Sequence, residues 1–245
     1  MPRIFLATPF IQDDVISISS EKAAYISVVM RCVPGDLLDI QDGTGRSYRA
    51  RILSADKREV RAVIIDETAC HTESFLNIRL FQGLLKGDKM DLVIQKTVEL
   101  GVREIVPVIT ERSQVRETRK LQRWMKIAEE ASRQSGRSEI PVIHDAIPLD
   151  KMYSDEKNVQ RKGVVFWEQG GDYLPSLFDT FRGVRDIDIL TGPEGGLSDR
   201  EVGQTVDNGF RVATLGRRIL RAETAAIAAV SLTQYALGDL GGVPA

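Results

Sequence analysis

An α/β fold with a mainly parallel sheet, preceded by a small β-barrel, is the architecture this sequence predicts. Beyond residue 75 short apolar runs alternate with amphipathic stretches, the rhythm of strand–helix–strand units packed into a parallel sheet. Before residue 70 the chain reads as short strands and tight turns, the pattern of a small barrel. Two glycine-rich segments, at 191–196 and 215–220, each follow an apolar strand and lead into a helix. In an open α/β sheet, ligands bind there, outside the carboxyl ends of the strands.

In the first part Arg3–Leu6, Leu37–Gln41, Ser47–Leu53 and Val60–Ile65 read as strands, and Asp42-Gly43-Thr44-Gly45 as a hairpin turn. One helix interrupts them. Ser20 is its expected cap, Glu21 suits its first turn, and Pro34-Gly35 stops it after Arg31. Arg49 and Arg51, with Arg46 nearby, fall on one strand face.

In the second part Ile78–Gln82, Glu104–Ile109, Gly163–Trp167, Asp186–Leu190 and Arg211–Leu215 are expected strands. A helix is expected over Asp88–Leu100, capped by Asp88 and closed by Gly101, with Met90, Val93, Ile94 and Val98 on one face. Further helices are expected at Thr118–Ser135, Ser198–Asn208 and Arg221–Leu237; Ser198 and Glu201 have capping-box spacing. In the last helix Ala222, Ala225, Ala226, Ala229 and Thr233 form a small-residue face, and Ile227, Val230 and Leu237 a second apolar stripe. A helix apolar on two sides is buried on two sides, here against its own sheet and a second subunit. The alternative is a helix buried wholly in its own core.

The 245 residues suit one large or two modest domains, and the change of rhythm places a boundary near residues 70–76. No apolar run approaches the length of a membrane span. MPRIFLATPF lacks the apolar core of a signal peptide, so a cytoplasmic location is expected. Cys32, Cys70, His71 and His144 form no metal-type cluster; neither a zinc site nor a disulfide scaffold is expected, and both histidines read as structural or exposed. The net charge of −2 gives no global sign of nucleic-acid binding. Locally, Arg112, Arg116, Arg119, Lys120, Arg123, Lys126, Arg133 and Arg137 face only Glu117, Glu129 and Glu130 within one stretch. On one surface such a stretch binds phosphates, and otherwise it is a solvated helix face.

Three segments carry the chemistry. Thr191-Gly192-Pro193-Glu194-Gly195-Gly196 lacks the G-x-G-x-x-G spacing of a dinucleotide site and the Lys-Ser/Thr of a P-loop. It is a ligand-approaching loop or a tight structural turn. Leu215-Gly216-Arg217-Arg218-Ile219-Leu220 repeats its position, so one ligand fits between the two. The third segment runs through Lys86-Gly87-Asp88-Lys89-Met90, Gln95–Gly101, Thr110-Glu111-Arg112-Ser113 and the basic helix.

Together these segments resemble the RsmE family of ribosomal RNA uridine-N3 methyltransferases, within the SPOUT superfamily. The resemblance rests on KGDKMDLVIQKTVELGVREIVPVITERS, EEASRQSGR, LTGPEGGLSDREV and LGRRILRAETAA, in the family's order across most of residues 76–237. RIF near the start, and VVMR before PGD, fit the family's small N-terminal domain. The resemblance implies a PUA-like RNA-binding β-barrel at 1–72 and a SPOUT methyltransferase domain at 73–245 with a deep C-terminal trefoil knot. It also implies a homodimer. The implied cofactor is S-adenosyl-L-methionine, leaving as S-adenosyl-L-homocysteine. The implied substrate is N3 of uridine 1498 in 16S ribosomal RNA of the small subunit. Two positions depart from the family pattern: Arg217 stands where proline is frequent, and Tyr25 where histidine is frequent.

On this reading the cofactor contacts are Thr191, Gly192, Pro193, Glu194, Gly195 and Gly196 in the first loop. In the second they are Leu215, Gly216, Arg218, Ile219 and Leu220, with Thr224 beyond. Uracil N3 is a poor nucleophile while protonated, so a base and a cation near the flanking carbonyl oxygens are needed. Arg221 and Arg218 are the candidate cations, and Glu194 or Glu223 the base or the orienter of an arginine. Arg3, Arg31, Arg49, Arg112, Arg116, Arg133 and Arg137 are the candidate phosphate binders. The alternative is a non-catalytic RNA-binding assembly factor, which would bind no cofactor. The missing dinucleotide fingerprint disfavours a dehydrogenase.

Overall fold

The computed structural model describes residues 2–6, 10–43, 45–69, 72–154 and 161–242. Thr44, Cys70 and His71, singled out above, lie outside the described residues. The chain divides into two compact units, Met1–Glu73 with Ser132–Ile140, and Ser74–Ala131 with Pro141–Ala245.

The first unit contains β1 (Arg3–Phe5), β2 (Phe10–Gln12), β3 (Val15–Ser19), α1 (Ser20–Ala24), β4 (Leu37–Gln41), β5 (Arg46–Ala55) and β6 (Glu59–Ala69). They form a mixed, barrel-like sheet in the order β1-β4-β5-β6-β3-β2. Only the β1–β4 pair is parallel. Alternation in β5 turns Tyr48, Ala50 and Ile52 inward and leaves Arg49 and Arg51 outside. The inward residues share one core with Ile4, Ile16, Ile18, Ile26, Leu38, Ile40 and Val60. Cys32 is buried there as a free thiol.

The β2–β3 hairpin escapes sequence reading because its two-residue turn is Asp13-Asp14 and not Asn-Gly. Both aspartates adopt positive φ, 51° and 62°, as a type I′ turn requires. The expected cap is corrected too. Ser20 is the first helical residue, and the cap position, Ser19, makes no side-chain capping bond. After one turn α1 widens into a π-helix over Tyr25–Val29.

Glu73 ties the sequence-distant segment of this unit in place. Its carboxylate accepts bonds from Arg137 Nη2 (2.6 Å) and Nε (3.1 Å) and from the backbone N–H groups of Ser138 (2.9 Å) and Glu139 (3.2 Å). Burial pushes the Glu73 carboxyl up, but Arg137 and the two N–H groups outweigh it and hold the group below its ordinary value.

The second unit runs β7 (Asn77–Gly83), α2 (Lys89–Glu99), β8 (Glu104–Ile109), α3 (Leu121–Ser135), β9 (Val142–Ile143), β10 (Ile147–Pro148), β11 (Lys162–Phe166), α4 (Leu174–Asp179), β12 (Asp186–Thr191), α5 (Asp199–Asp207), β13 (Phe210–Ala213) and α6 (Ala222–Leu237). The last turn of α3 falls in the first unit. The sheet is parallel in the order β10-β8-β7-β12-β11-β13, with β9 also on β8. Being covered on both faces, β7 and β12 are buried nearly throughout. From β12 the chain passes β11 to reach β13, and α6 then returns to pack on α2 and β12.

Register at the centre of the sheet is held by charge. Arg79 of β7 grips Asp188 of β12 with two bonds (3.0 and 2.8 Å), and Arg161 adds a third to the same carboxylate (2.6 Å). One expected cap lacks its bond and one expected helix start shifts. Asp88 occupies the cap position of α2 without a capping bond, and lies instead 3.7 Å from Arg123. α3 begins at Leu121 and not Thr118, because the Thr118 hydroxyl accepts the Lys120 N–H (3.2 Å), a local bond that competes with the helix.

Removing one partner of a buried ion pair costs roughly 3–5 kcal/mol, so Glu73→Gln is expected to cost about 3 kcal/mol at neutral pH in urea denaturation. Because the folded pKa is depressed, the stabilisation is complete above the unfolded value of roughly 4.3 and is lost as pH falls through the folded one. The gap between wild type and variant should therefore narrow below about pH 4.

Candidate functional site

The turns after β11, β12 and β13 enclose a cavity of about 480 Å³ at the carboxyl end of the sheet, within the usual range of a small-molecule site. Both glycine-rich segments line it, joined by Lys89, Trp167 and Glu168. The sheet order explains why. β12 lies between β7 and β11, and β13 lies beyond β11, so the 191–196 and 214–221 turns face each other across the end of β11.

The 191–196 loop is held by contacts that leave no room for side chains. Buried Gln82, at the end of β7, accepts the Thr191 hydroxyl (2.8 Å) and donates to the Gly192 carbonyl (3.2 Å). A Cβ on Gly83 would lie 2.3 Å from Pro193 N, and one on Gly195 would lie 2.9 Å from Arg112 Cβ. Gly196 adopts φ +70°, with Glu168 against its open side. The expected capping box is formed: Ser198 Oγ accepts Glu201 N–H and Glu201 Oε2 accepts Ser198 N–H. It launches α5 directly out of the loop.

Of the expected catalytic residues, Glu194, Arg218, Arg221 and Glu223 all line this cavity. Arg221 is the cap residue of α6 and Glu223 lies in that helix's first turn. Glu194 Oε1 accepts Lys89 Nζ (3.0 Å) and the Lys86 N–H (3.1 Å). Burial raises the Glu194 carboxyl, but the Lys89 bond and the backbone bonds prevail and hold it below its ordinary value. That weakens Glu194 as a base.

Polar atoms without partners also gather here. Trp167 Nε1, Glu194 Oε2 and Glu223 Oε2 are buried side-chain atoms with no hydrogen-bond partner in the described protein, and all three residues line the cavity. Buried polar groups are almost always satisfied, and a ligand that fills the cavity would satisfy these. A donor with two carboxylate oxygens suits a small molecule bearing positive charge, amine or hydroxyl donors, and an acceptor. S-adenosylmethionine has all of these, so the residues fit the expected cofactor.

Eleven of the twelve expected cofactor contacts line the cavity; Thr224 does not, and stands exposed on the outer side of the first turn of α6. Gln82, Lys89, Trp167 and Glu168 were not among the expected contacts. Trp167-Glu168-Gln169-Gly170-Gly171 also follows a strand and carries a glycine pair, a signal like those of the two recognised loops.

The basic residues are more dispersed than expected. Arg137 is only 3% exposed and spent on Glu73, so it is not a phosphate binder. Arg112 donates to the Gly195 and Leu197 carbonyls, and Arg116 to the Glu111 carbonyl. Arg133 lies over the Tyr25 ring at 5.7 Å, and the Arg3 guanidinium packs against Gly136. Arg31 and Arg49 are exposed, Arg49 lying 3.7 Å from Asp39.

Comparison with known proteins agrees with this geometry. Residues 72–234 match the family model of the RNA methyltransferase domain. The chain is 31% identical to the ribosomal RNA small subunit methyltransferase E of Buchnera aphidicola, over 98% of this chain and 95% of that protein. It is 31% identical to the Bacillus subtilis protein of the same name, over 89% of each. The structure superimposes with a TM-score of 0.88 on that enzyme from Neisseria gonorrhoeae bound to S-adenosyl methionine, at 34% identity over 98% of this chain and 99% of that one. It superimposes with a TM-score of 0.82 on a methyltransferase of Legionella pneumophila with bound cofactor, at 33% identity over 97% and 98%.

The loop packing has a direct stability consequence. Gly83→Ala forces backbone apart and is expected to cost about 1–3 kcal/mol. Gly203→Ala, mid-helix in α5 with open space at its Cβ position, should instead stabilise by about 0.5–1 kcal/mol. Urea denaturation of the two variants checks the opposite signs.

Proposed function

The chain belongs to the ribosomal RNA small subunit methyltransferase E family of RNA methyltransferases, and on that premise we propose that it methylates N3 of one uridine in small-subunit ribosomal RNA, using S-adenosylmethionine. By family resemblance the target is uridine 1498 of 16S RNA. The observation that carries the reading is the cavity between the two glycine-rich turns, with its three unpartnered buried polar atoms.

S-adenosylmethionine supplies an electrophilic sulfonium methyl when bound. The residues of this chain must bind and orient it, and must make uracil N3 a nucleophile. The glycine turns bring backbone close to the cofactor, and Trp167 offers an N–H donor from the cavity wall. Lys89 holds the ionised Glu194 at the cavity edge as an orienting group. Glu223, whose Oε2 has no partner, is the better base for the N3 proton. Exposed Arg218 and Arg221 at the mouth stabilise the charge that spreads onto the uracil carbonyl oxygens. The proposal assigns RNA docking to the barrel at 1–72 and the chemistry to 73–245, in the cytoplasm.

We propose further that the enzyme is a homodimer. Beside the cofactor cavity lies an apolar groove of about 730 Å³ lined by Tyr173, Phe178, Leu232 and Tyr235, and it shares Thr214–Gly216 with the cavity wall. The exposed large apolar residues of α6 are Leu232 and Tyr235. The expected stripe is not the exposed one, because Val230 is fully buried in the core.

Labelled methyl should pass from S-adenosylmethionine to small subunits lacking the modification and appear as N3-methyluridine on nucleoside analysis. Label in another nucleoside would overturn the target, and no label the activity. Arg221→Ala is expected to lower transfer at least 100-fold, in line with loss of a transition-state charge contact, while cofactor titration is unchanged. Unaltered turnover would remove Arg221 from the mechanism. Leu232→Glu with Tyr235→Glu should sediment as a monomer.

A further inference from the structure

The turn Thr110-Glu111-Arg112-Ser113 after β8 has no part in the reaction as described, yet it is firmly built. Thr110 and Ser113 are buried, 3% and 6% exposed. The Ser113 hydroxyl accepts the Thr110 N–H (3.0 Å) and lies 3.0 Å from the Thr110 hydroxyl. From this turn two groups reach the 191–196 loop and its exit. The Glu111 N–H donates to Glu201 Oε1 (2.7 Å), while Oε2 of the same carboxylate accepts the Ser198 N–H (2.9 Å). Arg112 Nη1 donates to both the Gly195 carbonyl (3.3 Å) and the Leu197 carbonyl (3.2 Å).

These bonds fix two peptide planes from both ends. In the 195–196 peptide the carbonyl is held by Arg112, and the Gly196 N–H donates to the Pro193 carbonyl (2.9 Å). In the 197–198 peptide the carbonyl is held by Arg112, and the N–H by Glu201. A glycine pair has more backbone freedom to lose than any other residues, so its orientation depends on outside bonds of this kind.

We propose that Arg112 and Glu201 are positioning residues for the cofactor loop, and that Arg112 acts on cofactor binding through the Gly195 and Leu197 carbonyls and not as an RNA-phosphate ligand. The assignment rests on reading the 191–196 loop as the cofactor loop. Lysine separates the two roles. It serves a phosphate as a point charge, but its ammonium ends one bond short of the Nη1 that donates to both carbonyls, on a stem without the guanidinium's planar stiffness.

The test uses the full-length protein with Arg112→Ala, Arg112→Lys and Glu201→Gln. In the absence of RNA, S-adenosylmethionine should bind Arg112→Ala about tenfold more weakly, the scale of one charged hydrogen bond, and Arg112→Lys nearly as weakly. Amide hydrogen exchange across residues 192–198 should quicken in both. The cofactor KM should rise while kcat at saturating cofactor stays near wild type. Glu201→Gln should move the same readouts in the same direction. Unchanged cofactor affinity and loop exchange in Arg112→Ala, with RNA affinity and its salt dependence reduced and restored by lysine, would overturn the proposal. If wild-type protein binds no S-adenosylmethionine, the functional reading falls, while the loop exchange still decides whether Arg112 fixes the loop.

Discussion

The site depends on one constraint, the close approach of backbone at the carboxyl end of the parallel sheet. The turn after β12 lies against the turn after β7 at Pro193 and Gly83, and against the turn after β8 at Gly195 and Arg112. It also meets the turn after β11 at Gly196 and Glu168. Contacts this close exclude a Cβ at Gly83 and Gly195, and the φ of +70° at Gly196 favours glycine there, so the glycines follow from packing as well as from the ligand. The sheet order makes this possible by placing β12 centrally, beside β7 and β11. The buried Arg79–Asp188–Arg161 cluster fixes the strand register that aligns those turns.

Charge in the cavity follows from what each carboxylate already touches. Glu194 is held by Lys89 and a backbone N–H, and so favours its ionised form. Glu223 keeps an unpartnered oxygen and stands two residues from Arg221 at the start of α6. In the proposed mechanism the first therefore orients and the second takes the N3 proton. The arginines proposed to stabilise charge, Arg218 and Arg221, stand exposed at the mouth, outside the apolar layer of Phe81, Val165, Leu190 and Leu197.

Much of this was legible in the sequence because local signals and global packing coincide in the second unit. The apolar strand into Thr191, the capping box at Ser198 and Gly101 at positive φ after α2 each state their structure locally. The first unit was less legible where backbone broke its own rules, as in the Asp13-Asp14 turn and the π-helical widening at Tyr25. The site was half visible. Glycines and charged residues in the loops announce themselves, but Gln82 and Trp167 belong to it only because the strand order brings three turns together. Arg137 misled because basic spacing in sequence does not reveal that a guanidinium is already engaged, here by Glu73, and Arg112 likewise donates to loop carbonyls.

The chain has two tryptophans. Trp124 is 1% exposed in the core, and Trp167 lines the cofactor cavity with its Nε1 unpartnered. The most direct measurement is therefore tryptophan emission during titration with S-adenosylmethionine, in wild type and in Trp167→Phe. A saturable change reversed by S-adenosylhomocysteine, and absent from the variant, is the predicted result. Calorimetric binding of cofactor that leaves Trp167 emission unchanged would place the ligand elsewhere and contradict the account.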